Sequence, residues 1–295
     1  MSAACTASYS AASSPERRAT AERLINQTER ISVAPPVAFQ ILSALRDDSL
    51  PSDAVVDLVR LDPDLTAQLL RLCNSAASRG NGITSLKDAT LRLGTSVVAQ
   101  KAMSLTLGRL LDVPVTDYCP DPKGLWRHSV QTALVARYLA PYCRGQYNPE
   151  TSFTAGLLHD IGKLVINSGA VDELVDIANL RQRKRVPYAE AEYEVLGSDH
   201  AEIGGLILER WNLPELIVAG VRYHHLPKYD RFGMGNLVHV AEACCKLTAD
   251  PASWGDFERA VQESALEQLE LGCDYIKDCW ESMIRDTSKI DSYLN

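Results

Sequence analysis

Histidine is scarce in this chain, with six in 295 residues, and several other features are missing altogether. No stretch approaches the ~18 uninterrupted apolar residues of a membrane-crossing helix, so no membrane association is expected. The opening Met1–Ser14 is small and polar and lacks the basic start and apolar run of a secretory leader. Eight cysteines occur (Cys5, Cys73, Cys119, Cys143, Cys244, Cys245, Cys273 and Cys279), yet none forms a C-x-x-C pair, which excludes a zinc ribbon and a thioredoxin-like motif. Cys73, Cys244 and Cys245 fall inside apolar helical patterns and read as buried thiols rather than a disulfide framework. That usage suits a reducing compartment, and the cytoplasm is expected. Positive charge is in deficit: 30 Lys and Arg stand against 38 Asp and Glu, a net charge of −8. A nucleic-acid-binding surface over the whole molecule is therefore not expected.

What is present is helix. Hydrophobic residues make up 46% and charged residues 23%, enough for a sizeable core and against global disorder. At ~150 residues per domain the length fits two units or one large one. Ser14-Pro15-Glu16 reads as an N-cap, a first-turn proline and an early acid. Helical spacing then runs through Val37–Leu45, from Pro51, and from Asp62-Pro63 to Cys73. Asn74–Gly82 is a polar loop, in which Asn74-Ser75 caps or ends a helix. Ser85-Leu86-Lys87-Asp88 is a capping box closed by Gly94, and Val97–Leu111 follows. Val113–Gly124, with three prolines, is the best boundary. Beyond it the pattern predicts helices over 125–139, 153–166, 171–181, 188–196, 203–211, 216–224 and 234–247, then an acidic amphipathic tail. No segment shows period-two alternation and no internal repeat is visible, so the fold class is all-α.

The histidines fall at informative places. His128 lies in Leu125-Trp126-Arg127-His128-Ser129. His159 and Asp160 lie in Gly156-Leu157-Leu158-His159-Asp160-Ile161-Gly162-Lys163. His200 follows Ser198-Asp199, His224 and His225 precede Leu226-Pro227, and His239 stands one turn before Glu242. An adjacent His-Asp on an apolar helix is costly to bury unless each group finds a partner. A satisfied hydrogen-bonded pair meets that need, and so does a metal ion, since imidazole and carboxylate are ligands for Zn, Fe and Mn. Neighbouring helical side chains point ~100° apart. His224 and His225 therefore share a site only near a helix end or across two ions, and Pro227 biases the chain out of helix at that point.

With His128 upstream, Gly156–Lys163 resembles the HD superfamily of metal-dependent phosphohydrolases, and the finer similarity is to its HDOD branch, the HD-related output domain of bacterial signalling proteins. The resemblance is carried by Leu61-Asp62-Pro63-Asp64-Leu65-Thr66, Leu70–Ala76, Ile83–Ala89 with Leu93-Gly94, Asp199–Gly205, Trp211-Asn212-Leu213-Pro214 and His224-His225-Leu226-Pro227. It spans roughly residues 25 to 245. It implies an N-terminal helical bundle packed on a degenerate HD-type bundle: an N-terminal extension over 1–24, an N-terminal HDOD subdomain over 25–118, an HD-like subdomain over 119–250 and a helical tail over 251–295. It also implies a divalent metal site (Fe, Mn, Zn or Ni, one or two ions). His128, His159 and Asp160 match the first three places of the superfamily's site. Glu242 stands where the distant Asp is expected, a departure that puts its carboxylate about one methylene farther out. His200, His224, His225 and Lys163 match the additional positions of the related HD-GYP phosphodiesterases. The Glu that this branch places one turn before the first His is Gly124 here, and the Gly-Tyr-Pro loop is absent.

The function the resemblance implies is a bacterial regulatory output module without strong catalytic activity, acting on a signalling protein partner or a nucleotide second messenger. The alternative is a phosphodiesterase or phosphohydrolase acting on cyclic dinucleotides or other nucleotides, with Lys163 and Asp160 catalytic. Other features have simpler readings. Arg181-Gln182-Arg183-Lys184-Arg185 could receive a phosphate or an acidic partner, and as a solvated helix end it complements the C-terminal dipole. Trp126 walls the pocket or packs between helices. The tail, with Leu269, Tyr275, Ile276, Trp280, Met283 and Ile284, packs back on its own domain or serves a homodimer.

Overall fold

The computed structural model describes residues 15–28, 53–60, 65–67, 69–70, 83–111, 124–145, 147–245, 247, 257–258 and 261–276. The cap at Ser14, the helix expected over Val37–Leu45, the Asp62-Pro63 start, the Asn74–Gly82 loop, most of the Val113–Gly124 boundary and tail residues Trp280, Met283 and Ile284 lie outside these. Among the described residues the regular structure is helical and contains no strand. No described helix is long and apolar enough to cross a membrane.

The chain divides into two compact units: Ala34–Val113 with Ser288–Asn295, and Met1–Val33 with Pro114–Thr287. In the smaller unit, α2 (Asp53–Arg60), α3 (Leu86–Leu93) and α4 (Thr95–Leu111) surround a core that includes Val56, Val59, Leu65, Leu69, Ile83, Leu86 and Val98. The capping box forms as expected: the Asp88 amide donates to Ser85 Oγ at 3.0 Å. Gly94 ends α3 at φ 87°, a left-handed conformation in which glycine carries no Cβ penalty.

The larger unit holds α1 (Pro15–Asn26), α5 (Gly124–Leu139), α6 (Pro149–Leu158), α7 (Gly162–Gly169), α8 (Leu174–Lys184), α9 (Tyr188–Leu196), α10 (His200–Arg210), α11 (Glu215–Arg222), α12 (Met234–Cys244) and α13 (Glu263–Leu269). Helices α5, α6, α11 and α12 pack on one another, α7 and α11 flank α10, and α13 lies on α12. The α1 helix, which the sequence reading sets apart as an extension, packs on α10 and α7. Its buried Arg17 reaches Asp199 Oδ2 at 2.5 Å. The described part of the tail also packs back: Leu269 and Ile276 are fully buried, and Asn236 Nδ2 donates to Gln268 Oε1 at 2.8 Å. The basic run ends α8 with Arg185 left-handed, and its Lys184 pairs with Glu194. Trp126 is buried, as are Cys143 and Cys244, and burial pushes the Cys143 thiol up to about 12. No disulfide occurs among the described residues.

The expectation of one helix over 153–166 is corrected. Helix α6 stops at Leu158 and α7 begins at Gly162. His159 and Ile161 keep right-handed helical dihedrals, but the hydrogen bonds tighten to three-residue spacing, with Ile161 N on Leu158 O at 3.0 Å and Lys163 N on Asp160 O at 3.0 Å. The His159 ring takes the carbonyl of Gly156 at 2.7 Å, which the Asp160 amide would use in a continuous helix.

Candidate metal centre

Two glycines bring the helices close enough to assemble a site. A Cβ on Gly156 would lie 2.8 Å from Ala133 Cα, so α6 crosses α5 at near-backbone contact and carries His159 to His128. A Cβ on Gly162 would lie 2.0 Å from the His200 carbonyl oxygen. The turn after α6 therefore sits directly on the start of α10 and sets Asp160 beside His200. Helix α11 ends at Arg222, and the turn that follows releases His224 and His225. Both face the same place, with ring centroids 4.0 Å apart. Glu242 projects from α12.

The seven residues singled out by sequence converge. They form three overlapping groups, His128 with His159 and Asp160, His200 with His224 and His225, and His159 with His224 and Glu242. Within each group the ligand atoms lie within 4.8 Å of one another, and each could hold a metal ion. His159, Asp160, His200 and His224 are at most 1% exposed. The sixth histidine, His239, stands apart: it donates from Nδ1 to the His224 carbonyl and accepts from the Gln262 amide.

The proton positions follow from the partners, because a carbonyl oxygen only accepts. His159 Nδ1 lies 2.7 Å from Gly156 O, and His224 Nδ1 lies 2.6 Å from Val221 O. Both rings thus carry the proton on Nδ1. In His224, whose ring burial holds neutral near pH 7, Nε2 is left as a bare lone pair directed into the site. His200 is held in the same sense by a carboxylate, with Nδ1 2.6 Å from Glu192 Oε2. The Nε2 atoms then meet one another: His159 and His128 at 3.2 Å, His200 and His225 at 2.9 Å. His224 Nε2 is buried with no hydrogen-bond partner. Metal-binding histidines commonly donate their second ring N–H to a carbonyl or carboxylate, which is the arrangement these three rings adopt.

Asp160 lies at the centre. Its Oδ2 is 2.7 Å from Lys163 Nζ, 3.3 Å from His159 Nε2 and 3.6 Å from His128 Nε2, while Oδ1 is 3.3 Å from His200 Nε2. Burial alone would raise its carboxyl, but the His159 ring and the Lys163 ammonium hold it well below the usual range. Burial opposes charge on Lys163 too, and the Asp160 carboxylate keeps it protonated. Burial and neighbouring rings push His128 down to about 4 and His224 down to about 3, and hold His225 well below its ordinary value. These rings are neutral near pH 7, the form that binds metal. His200 moves the other way: burial opposes its charge, but Glu192 raises it.

The donor set fits a divalent cation. Among the described residues, Asp160, Glu192 and Glu242 place three carboxyl groups around this cluster, against the lysine at 163. Imidazole nitrogen with carboxylate oxygen suits Zn, Fe, Mn and Ni alike. Glu192, fully buried on α9, escaped the sequence reading. An acid eight residues before a histidine carries no helical signal, because a turn and a cap separate the two.

Comparison with known proteins agrees with this architecture. The family model for the HDOD domain matches residues 31–227, more than half of the chain, and the chain belongs to the HDOD domain family. An uncharacterized protein of Treponema pallidum (strain Nichols) is 28% identical over 206 residues, 70% of this chain and 39% of that protein. The chain thus spans well under half the length of this curated relative. An HDOD domain protein of unknown function from Geobacter sulfurreducens matches in fold with a TM-score of 0.74 at 24% identity, covering 94% of this chain and 98% of that one. A candidate signal transduction protein from Marinobacter aquaeolei VT8 also matches, with a TM-score of 0.74 at 22% identity, covering 94% of this chain and 64% of that one.

Proposed function

We propose that this chain is a regulatory output module of the HDOD type whose degenerate HD site holds one or two divalent metal ions without strong catalytic activity. The observation that carries the metal is His224 Nε2, an acceptor buried without any donor, in a cluster of imidazoles and carboxylates whose His128, His224 and His225 rings are held neutral near pH 7. A bare lone pair in the interior costs about 1–3 kcal/mol unless something binds it. The ligands would be His128, His159, Asp160, His200, His224, His225 and Glu242. When bound, such an ion supplies Lewis acidity and holds the surrounding helix ends in one arrangement.

The regulatory reading over the hydrolytic one rests on Lys163 and Gly124. Phosphodiester hydrolysis requires an open coordination position and cations around the phosphate. The Lys163 ammonium is committed to Asp160 at 2.7 Å, and Gly124 offers no carboxylate. Output then passes through a signalling protein partner or a nucleotide second messenger, in the cytoplasm, by a single chain or a homodimer.

Elemental analysis of the purified protein tests the metal, with His159→Ala and Asp160→Ala as controls. The wild type is expected to retain about one or two equivalents of a divalent ion and the variants much less. Equal metal content in all three overturns the site. Turnover of cyclic dinucleotides or simple phosphodiesters with Mn, Fe or Mg, lost in Lys163→Ala, overturns the non-enzymatic reading and establishes Lys163 and Asp160 as catalytic.

A further inference from the structure

We infer that Glu192 is a positioning residue for the metal centre, fixing the tautomer and orientation of His200 from outside the ligand set. The inference rests on the metal reading above. Glu192 Oε2 receives two hydrogen bonds from one residue, from the His200 ring Nδ1 at 2.6 Å and from the His200 backbone N at 2.8 Å. Two bonds from adjacent directions fix both the backbone and the ring of His200, so Nε2 has one direction available. That direction is into the cluster, 2.9 Å from His225 Nε2 and 3.3 Å from Asp160 Oδ1.

The electrostatics agree with the geometry. Glu192 is 0% exposed, and its second oxygen, Oε1, has no hydrogen-bond partner. A buried carboxylate with one oxygen unshared is costly unless a positive charge stands close. The imidazole conducts that demand: a proton or a cation on His200 Nε2 completes a carboxylate–histidine–cation line, the arrangement that raises ligand basicity at metal sites. His159 and His224 are oriented by neutral backbone carbonyls instead. His200 is thus the ring among these three with a charged partner.

Two readouts test this. The first is the metal-free protein at pH 9, with His200 ring nitrogens followed by nitrogen-15 NMR. Neutral imidazole in water favours the Nε2–H form. The wild type is expected to hold the proton on Nδ1, and Glu192→Ala to revert to Nε2–H. The second is titration of Zn against a competing chelator. Glu192→Ala is expected to weaken binding by about 10- to 100-fold, and Glu192→Gln, which keeps an acceptor of the same reach, to restore the tautomer and recover part of the affinity. Circular dichroism and urea unfolding confirm that each variant is folded; if Glu192→Ala does not fold, Glu192→Gln and Glu192→Asp supply the comparison. Unchanged tautomer and affinity in the variants overturn the proposal. A wild type that binds no Zn, with a tautomer that still switches on loss of Glu192, sinks the metal reading while the orienting role stands. Weakened binding with no tautomer change leaves the metal and overturns the positioning role.

Discussion

Single residues set the distances at the cluster. Gly162 is the most constrained, because the atom a Cβ would meet at 2.0 Å is a backbone oxygen, with Gly204 N at 2.9 Å behind it. Neither end can yield as a flexible side chain would. Gly162→Ala must displace the turn carrying Asp160 from the start of α10, and overpacking of this kind costs about 1–3 kcal/mol. Urea unfolding is expected to show a loss at or above the upper end of that range, together with weaker metal retention, since Asp160 and His200 are pushed apart. An unchanged midpoint would mean that the two elements are not in contact. The sequence made the histidines legible at this scale because they are few: five of six meet in the cluster. Glu192 was invisible for the opposite reason. Acids are common in this chain, and its role depends on burial and on a hydrogen bond across Gly197-Ser198-Asp199, which no spacing rule encodes.

Elements follow from local chemistry where that chemistry is local. Ser85 and Gly94 bound α3 because a cap needs only neighbouring atoms. The break between α6 and α7 was hidden, since Leu157, Leu158, Ile161, Leu164 and Val165 keep a helical period through it and the dihedrals stay right-handed. A side chain competing for one carbonyl made the difference. Placement of α1 was equally hidden, because it rests on a partner 182 residues away. Arg17 and Asp199 have side chains 2% and 0% exposed. Asp199 also caps α10 by accepting from the Glu202 amide at 2.9 Å. Breaking a buried pair from one side leaves the other charge stranded, which costs about 3–5 kcal/mol. Arg17→Ala is therefore expected to lose about that much in urea unfolding. Asp199→Asn keeps the capping oxygen but removes the charge that pairs with Arg17 at 2.5 Å, so it is destabilised as well. Joining the two substitutions is expected to recover part of the loss, as coupled partners do. Strict additivity would show that Arg17 and Asp199 do not interact.

At the scale of the whole molecule, all seven candidate ligands, Glu192 and α1 belong to the unit formed by Met1–Val33 and Pro114–Thr287. The all-α class was legible because apolar residues recur at helical spacing nearly throughout. The grouping of residues 1–33 with 114–287 was not, because contacts distant in sequence define it. On the proposed reading, that grouping would make a bound metal a thermodynamic label for one unit. A ligand that binds only the folded state stabilises by RT ln(1 + [L]/Kd), about 2.7 kcal/mol at a hundredfold excess over Kd. For a unit of this size, 1 kcal/mol moves the midpoint by roughly 2–4 °C. Calorimetry of chelator-treated protein is therefore expected to show the transition of the larger unit rising by about 5–11 °C on adding Zn or Mn, with no rise in His159→Ala. The Gly156 and Val221 carbonyls and Glu192 hold His159, His224 and His200 with Nε2 directed inward before any ion arrives, so little ordering opposes binding and most of the interaction appears as stability. An unmoved transition at saturating metal would mean that the converged histidines hold one another by hydrogen bonds alone.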